Sequence, residues 1–255
     1  MQTYLRIFII LFLGTMVSST AVRAQVSVRD SVFGFSAAAV TGGYSLPGGD
    51  LADRFGNNFS IGGKYIRKTK ANWTWGFQGD FLFGDEVRET TILNGLVTSQ
   101  GELITQDGTY GTALLYERGW KVETQLGKIF PVLGPNKNSG LVFMAGAGFL
   151  QHKIRIESQG DRIPYLEGDY TKGYDRLTNG WYISEFIGYM NFGNRRRVNF
   201  FIGIEAVQAF TACRRSFNFD TRMADDKERN DMLLGLKFGW IIPLYKKIPN
   251  AYYFD

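Results

Sequence analysis

Residues 73–84, WTWGFQGDFLFG, alternate with a period of two and carry nearly all their bulk on one side. Trp73, Trp75, Phe77, Phe81 and Phe83 share one parity with Gly79, and Thr74, Gly76, Gln78, Asp80, Leu82 and Gly84 share the other. A strand sends successive side chains to opposite faces. The segment therefore predicts a strand with one aromatic face and one small or polar face that bears a carboxylate at mid-length. A soluble sheet packs such aromatics inward. A membrane barrel turns them to lipid and points Asp80 into its lumen.

Alternating segments recur at residues 32–44, 59–67, 121–130, 141–156, 181–192, 198–211 and 231–244. Glu123 and Gln125 share a face of the fourth strand, and Gly146 and Gly148 lie together on the fifth, leaving room for larger neighbours. The connections that follow the first, third, fifth and seventh strands are long and polar, whereas KTKAN, VLGPNKNSG and GNRRR are short. Asp50 to Phe55 in the first long connection reads as a single helical turn; Leu103-Ile104 and residues 110–116 in the second read as strand extensions beyond a membrane surface. Antiparallel strands place alternate connections at opposite ends, so all short turns share one end with both termini. Short periplasmic turns, long extracellular loops and an even strand number are the pattern of an outer-membrane barrel. The expected fold is all-β: an eight-stranded antiparallel transmembrane β-barrel over residues 25–255.

The ends and the composition agree. Residues 1–24 read as a signal peptide, with Arg6 in the n-region, an apolar core over residues 7–16 and small residues Val22 and Ala24 at the cleavage site. That core is too short for a membrane-spanning helix. Cys213 is the only cysteine, so an exported chain without a disulfide draws its stability from a large core or a closed hydrogen-bonded barrel. A formal charge of +5, part of it in the signal, is mild and excludes a nucleic-acid footprint. Lys64, Asp80, Glu185, Glu205 and Lys237 each sit mid-strand, opposite the larger apolar set. A small barrel would gather them in a plugged lumen as an ionic network, with Glu205 and Lys237 as cross-barrel or adjacent partners and Lys64 diagonal to Asp80. A soluble lipocalin-like barrel, with the same faces reversed, is the competing reading.

KYIRKTKANWTWG, GYDRLTNG and FGWIIPLYKK, in this strand frame, resemble the outer-membrane β-barrel proteins of Bacteroidota, with an architecture similar to the small OmpA/OmpX-type barrels. The resemblance implies outer-membrane residence and eight strands, and no catalytic residue. It departs at the end. The last strand stops near Tyr245 and the chain finishes Tyr252-Tyr253-Phe254-Asp255, whereas many such proteins close the last strand on a terminal aromatic.

Candidate chemistry is sparse. His152, the only histidine, has Ser158 and Asp161 nearby in sequence but no nucleophile elbow, and reads as a strand-end polar residue. Cys213 reads as an incidental thiol. Glu167, Asp169 and Asp175 lack calcium-loop spacing and have Lys172 and Arg176 among them, which favours ion pairing. Arg195, Arg196 and Arg197 form a basic turn suited to headgroups or solvent. Tyr174, Asp175, Arg176, Arg214 and Arg215 are the recognition candidates of the outer loops, with Arg214 and Arg215 placed to meet lipopolysaccharide phosphates. No cofactor or metal is expected. The partners expected are outer-membrane lipids and an envelope protein, with no nucleic acid and no small-molecule substrate. The sequence thus favours a non-enzymatic barrel with binding loops. An accessory subunit of an outer-membrane assembly or secretion machine, and a lipid-modifying barrel enzyme, are the alternatives.

Overall fold

A computed structural model describes residues 32–160, 162–193 and 198–244, all within one compact unit. The expected signal peptide, Asp161, the arginine turn and the Tyr252–Asp255 tail lie outside the described residues.

The strands are β1 (Phe35–Gly49), β2 (Asn58–Lys68), β3 (Trp73–Gly84), β4 (Leu103–Ile104), β5 (Tyr110–Phe130), β6 (Gly140–Gln159), β7 (Thr178–Phe192), β8 (Asn199–Cys213) and β9 (Glu228–Leu244). All pairings among them are antiparallel. Eight strands close a ring, because β1 pairs with β9 and β3 pairs with β5. The two-residue β4 only folds back on β5 outside that ring. Closure leaves no strand edge unpaired within the eight-stranded ring, which a hydrocarbon environment demands.

The faces are inverted relative to a water-soluble barrel. Lys64, Asp80, Lys121, Glu205 and Lys237 are buried inside, while Phe77 is 56% exposed, Ile187 62% and Trp240 65%. The outward aromatics gather near the two ends of the wall. At the long-loop end Trp181 stacks on Phe210 at 4.5 Å and Trp120 lies 5.8 Å from Phe149; at the short-turn end Tyr65 meets Trp75 and Tyr189 neighbours Phe200. Lys128 bends its ammonium over Trp73, 5.3 Å from the ring centroid, as a cation does at a headgroup boundary. An apolar band bounded by aromatic girdles around a polar interior is the surface of a membrane-spanning barrel. This excludes the soluble alternative.

A spanning strand needs about 9–11 residues. The 21 residues of β5 and 20 of β6 therefore carry this hairpin well beyond the girdle at the long-loop end. The helix α1 (Asp50–Arg54) and three short 3-10 turns, at Thr90–Leu93, Pro164–Leu166 and Gly168–Gly173, structure the long loops. At the other end the turn between β2 and β3 is made by Asn72 at φ 61°, a left-handed conformation that asparagine tolerates well.

Candidate functional site

The interior is layered. Its floor is apolar: Phe35, Ile129, Met144, Phe186, Phe192 and Phe201 belong to one buried cluster. The turn between β5 and β6 tucks against it. Asn138 Oδ1 accepts a hydrogen bond from Lys68 Nζ at 2.9 Å, and Asn136 Nδ2 donates to the carbonyl of Phe192 at 2.6 Å.

Above the floor lies the ionic layer. Lys237 Nζ is 2.7 Å from Asp80 Oδ2, and Asp80 also accepts from Thr41 Oγ1 at 2.8 Å and Gln78 Nε2 at 2.7 Å. Lys121 pairs with Glu205 and reaches Asp80 at 3.9 Å. Lys64 donates to Gln125, whose amide donates to Glu123 at 2.7 Å; Ser184 donates to the other Glu123 oxygen. Three buried lysines, Lys64, Lys121 and Lys237, thus face three carboxylates, Asp80, Glu123 and Glu205. Formal neutrality with short pairings is what makes such a layer tolerable in a dry interior. Inward glycines create the space: a Cβ on Gly62 would stand 2.4 Å from Asp80 Oδ1, and one on Gly146 2.9 Å from Glu123 Oε2.

Four of the five charges expected in the lumen, Lys64, Asp80, Glu205 and Lys237, lie on the inward face. Lys64 is diagonal to Asp80, since the direct partners are Lys64 with Gln78 and Gly62 with Asp80. Glu205 takes Lys121 as its ion-pair partner, and Lys237 takes Asp80. Glu185 is a correction. It faces outward, in the same row as Trp181, Ile183 and Ile187, while Tyr182, Ser184 and Phe186 point in. Both parities of β7 carry aromatics, so bulk alone did not set its phase. The phase follows from fit: the Phe186 ring fills the space above Gly188 and Gly203, where a Cβ would come within 2.7 Å of its Cζ. Lys121 and Glu123 were missing from the expected network, although their parity with Gln125 carried the signal.

Over the ionic layer, Glu117 accepts from Asn58 Nδ2 at 3.1 Å, and His152 Nε2 lies 3.0 Å from Asp231 Oδ2. Thr211 Oγ1 donates to that same carboxylate oxygen at 2.6 Å, and Phe55 meets the imidazole edge-on. His152 is therefore interior, not a strand-end group. Ser158 stands six residues farther along β6, about 20 Å away at strand rise. Thr211 and His152 share one oxygen of Asp231, so the hydroxyl is not lined up on the imidazole as a nucleophile.

A second apolar cluster, including Leu51, Phe55, Ile92, Ile154, Ile163 and Tyr174, caps these groups. Over it runs a charged network that joins all four long loops. Arg54, from α1, lies 3.2 Å from Glu89 Oε2 and 3.6 Å from Asp225 Oδ2. Arg176 lies 2.9 Å from Glu89 Oε1 and 2.5 Å from Asp220 Oδ2, and Arg229 closes on Asp225 at 2.6 Å. Glu89 belongs to the loop after β3, Arg176 to that after β6, and Asp220 and Asp225 to that after β8. Burial lowers the proton affinity of Arg54 and the like charge of Arg229 adds to this, with Glu89 and Asp225 opposing. Burial acts the same way on Arg176, but hydrogen bonds to Asp220 and Glu89 outweigh it and raise its value.

This network corrects the outer-loop recognition set. Tyr174, Asp175 and Arg176 are buried. Tyr174 packs edge-on against Phe219, and Asp175 accepts from Arg215 Nε at 2.7 Å. They are staples between loops, because Asp175 is paired with Arg215, and Arg176 with Glu89 and Asp220, before any ligand arrives. Arg214 remains exposed, with its Nε donating to Asn179 Oδ1 at 2.6 Å. The acidic candidates are likewise paired: Glu167 with Arg162, and Asp169 with Lys172 at 2.5 Å. Cys213 is a half-buried free thiol at the end of β8.

No protein-family model matches the chain, and no curated protein matches it. Among solved structures it is similar to Neisserial surface protein A (NspA), with a TM-score of 0.44 and 8% identity over 81% of this chain and 96% of that one. It is also similar to Ail, the attachment invasion locus protein of Yersinia pestis, with a TM-score of 0.36 and 11% identity over 82% and 99%. A second Ail structure, in complex with the heparin analogue sucrose octasulfate, gives a TM-score of 0.34 at 12% identity over 82% and 99%. No residue role is carried across from these proteins.

Proposed function

We propose that this chain is a non-enzymatic outer-membrane barrel of the Bacteroidota type whose sealed body holds a rigid extracellular platform for a binding partner. The observation that carries the reading is the charged network joining all four loops. It fixes a surface on which Phe217, Phe219 and Met223 stand 45%, 42% and 66% exposed. An ordered apolar patch rimmed by paired charges suits a protein partner, since its ordering cost is already met before binding. The exposed Arg214 beside Trp181 and Phe210 suits an anionic lipid headgroup at the rim. The burial of His152 beneath the cap, with the Thr211 hydroxyl turned to Asp231 instead of to the imidazole, supports a structural histidine over a catalytic one.

Gentle detergent extraction followed by native mass measurement tests the reading. The expected result is a stoichiometric partner that is lost from the triple variant Phe217→Ser, Phe219→Ser, Met223→Ser while the barrel stays folded. A solitary wild-type monomer, or a partner indifferent to these changes, overturns it.

A second reading, an accessory subunit of an envelope assembly or secretion machine, draws on the opposite end. Leu133, at the tip of the turn between β5 and β6, is 82% exposed and held at φ 60°. Co-extraction that depends on Leu133 instead of the loop patch selects this alternative.

A further inference from the structure

We infer that the outer wall of β7 and β8 is a docking face, within the bilayer, for a different membrane-spanning protein that presents a lysine or arginine to Glu185. The outward row of β7 is Trp181, Ile183, Glu185, Ile187 and Tyr189. Trp181 belongs to the girdle at the long-loop end and Tyr189 to that at the short-turn end. Glu185 is four residues from each. At strand rise and a barrel tilt near 40°, it stands roughly 10 Å from either girdle, at the middle of the hydrocarbon.

Among the described residues nothing neutralises it. Its direct cross-strand neighbours are Ala145 on β6 and Ala206 on β8, so the carboxylate overtops both. No hydrogen bond or ion pair joins it to another described residue. Beside it the wall is hollowed into a concavity of about 480 Å³, lined by Leu46, Ile183, Ala206, Gln208 and Leu234 together with Glu185 itself. An ionisable side chain in the bilayer core faces a partner or a wet cavity, because hydrocarbon leaves its acceptors unsatisfied. A carboxylate asks for a cationic donor.

The occupant follows by charge and depth. A lipid tail fills the hollow but brings no donor, and headgroups sit at the girdles, roughly 10 Å away. A second copy does not fit either. A two-fold contact through this wall sets hollow against hollow and carboxylate toward carboxylate. Among the described residues, the outward rows at this depth offer no lysine or arginine. A different protein with a convex wall and a basic side chain supplies what is missing.

The test places a photoreactive benzoylphenylalanine at Ile187 in the full chain in native membranes, with the same probe at Phe77 on the opposite wall as control. The expected result is one discrete protein adduct from position 187 and none from position 77. Its cross-linked peptide should lie in a membrane-spanning segment that carries lysine or arginine. Glu185→Lys should cut the yield by more than about tenfold, through like-charge repulsion. Glu185→Ala, which removes the lipid-facing charge, should fold at least as well as the native chain and still lose the adduct. An adduct of twice the chain mass, adducts with lipid alone, or a protein adduct indifferent to both substitutions overturns the inference.

Discussion

Lys237 Nζ sits 2.7 Å from Asp80 Oδ2, with both side chains inside the barrel and three strand pairings between β9 and β3. The contact spans the lumen and is not a neighbour-strand ladder pair. Removing one partner of a buried pair leaves the other charge uncompensated, at a cost of about 3–5 kcal/mol. Lys237→Met should therefore lower the melting temperature in detergent, and Lys237→Met with Asp80→Asn should recover much of the loss. Lys237→Met with Glu205→Gln should recover less, because Glu205 is held by Lys121. Equal recovery from both double variants would show that the layer acts as one shared pool of charge.

Arg176 is the staple on which three of the four loops converge. Replacing it by methionine strands Asp220 and leaves Glu89 with Arg54 as its only cationic partner among the described residues. A loss of about 3 kcal/mol confined to the cap corresponds to roughly 100-fold faster local opening. Hydrogen exchange in lipid vesicles should show that acceleration across residues 85–109 and 214–227, with the membrane strands unchanged. Acceleration spread evenly over the barrel would mean that the cap and wall unfold as one unit.

How much of this could be read from the chain depended on how uneven each strand's two faces are. In β3 the aromatics fall on one parity, so its bounds, its outward face and the inward Asp80 were all legible. In β7, Trp181 and Tyr182 are adjacent and Ile187 follows Phe186, so parity was ambiguous and Glu185 was placed on the wrong face. The extension of β5 was legible over residues 110–116 and that of β6 as far as Ile156; the join at residues 117–120 and the last three residues of β6 were not, because strands outside a membrane lose the lipid-facing alternation. The loop staples were hidden for another reason. Arg54, Glu89, Arg176 and Asp220 come from four separate loops, and only closure of the barrel brings those loops together. Pairing of such distant charges leaves no local pattern.

His152 gives a separable test of structural against catalytic roles. His152→Ala leaves Asp231 with Thr211 as its remaining side-chain donor and opens a hole beside Phe55. The expected cost is about 2–4 kcal/mol, read as a lower melting temperature. Lipid A composition of cells carrying the variant should match the parent. Altered lipid A with an unchanged melting temperature would instead assign the imidazole a chemical step.

The acid limit of the cap follows from its aspartates. The carboxyl of Asp50 is held below its ordinary value first by a hydrogen bond from the Lys227 ammonium and next by the backbone N–H of Asn230. Burial pushes Asp225 up, but the hydrogen bond from Arg229 and the charges of Arg229 and Arg54 outweigh it, so it too ends below the usual range. A folded-state value below the unfolded one, about 3.9 for aspartate, contributes stability that is complete above that pH. The contribution is lost as pH falls through the folded values. Hydrogen exchange over residues 214–227, corrected for intrinsic rates, should therefore stay flat from neutrality down to about pH 5 and rise below about pH 4. Asp225→Asn should weaken the loop at neutral pH and flatten much of the acid response. A response centred well above pH 5 would show that these aspartates do not set the acid limit.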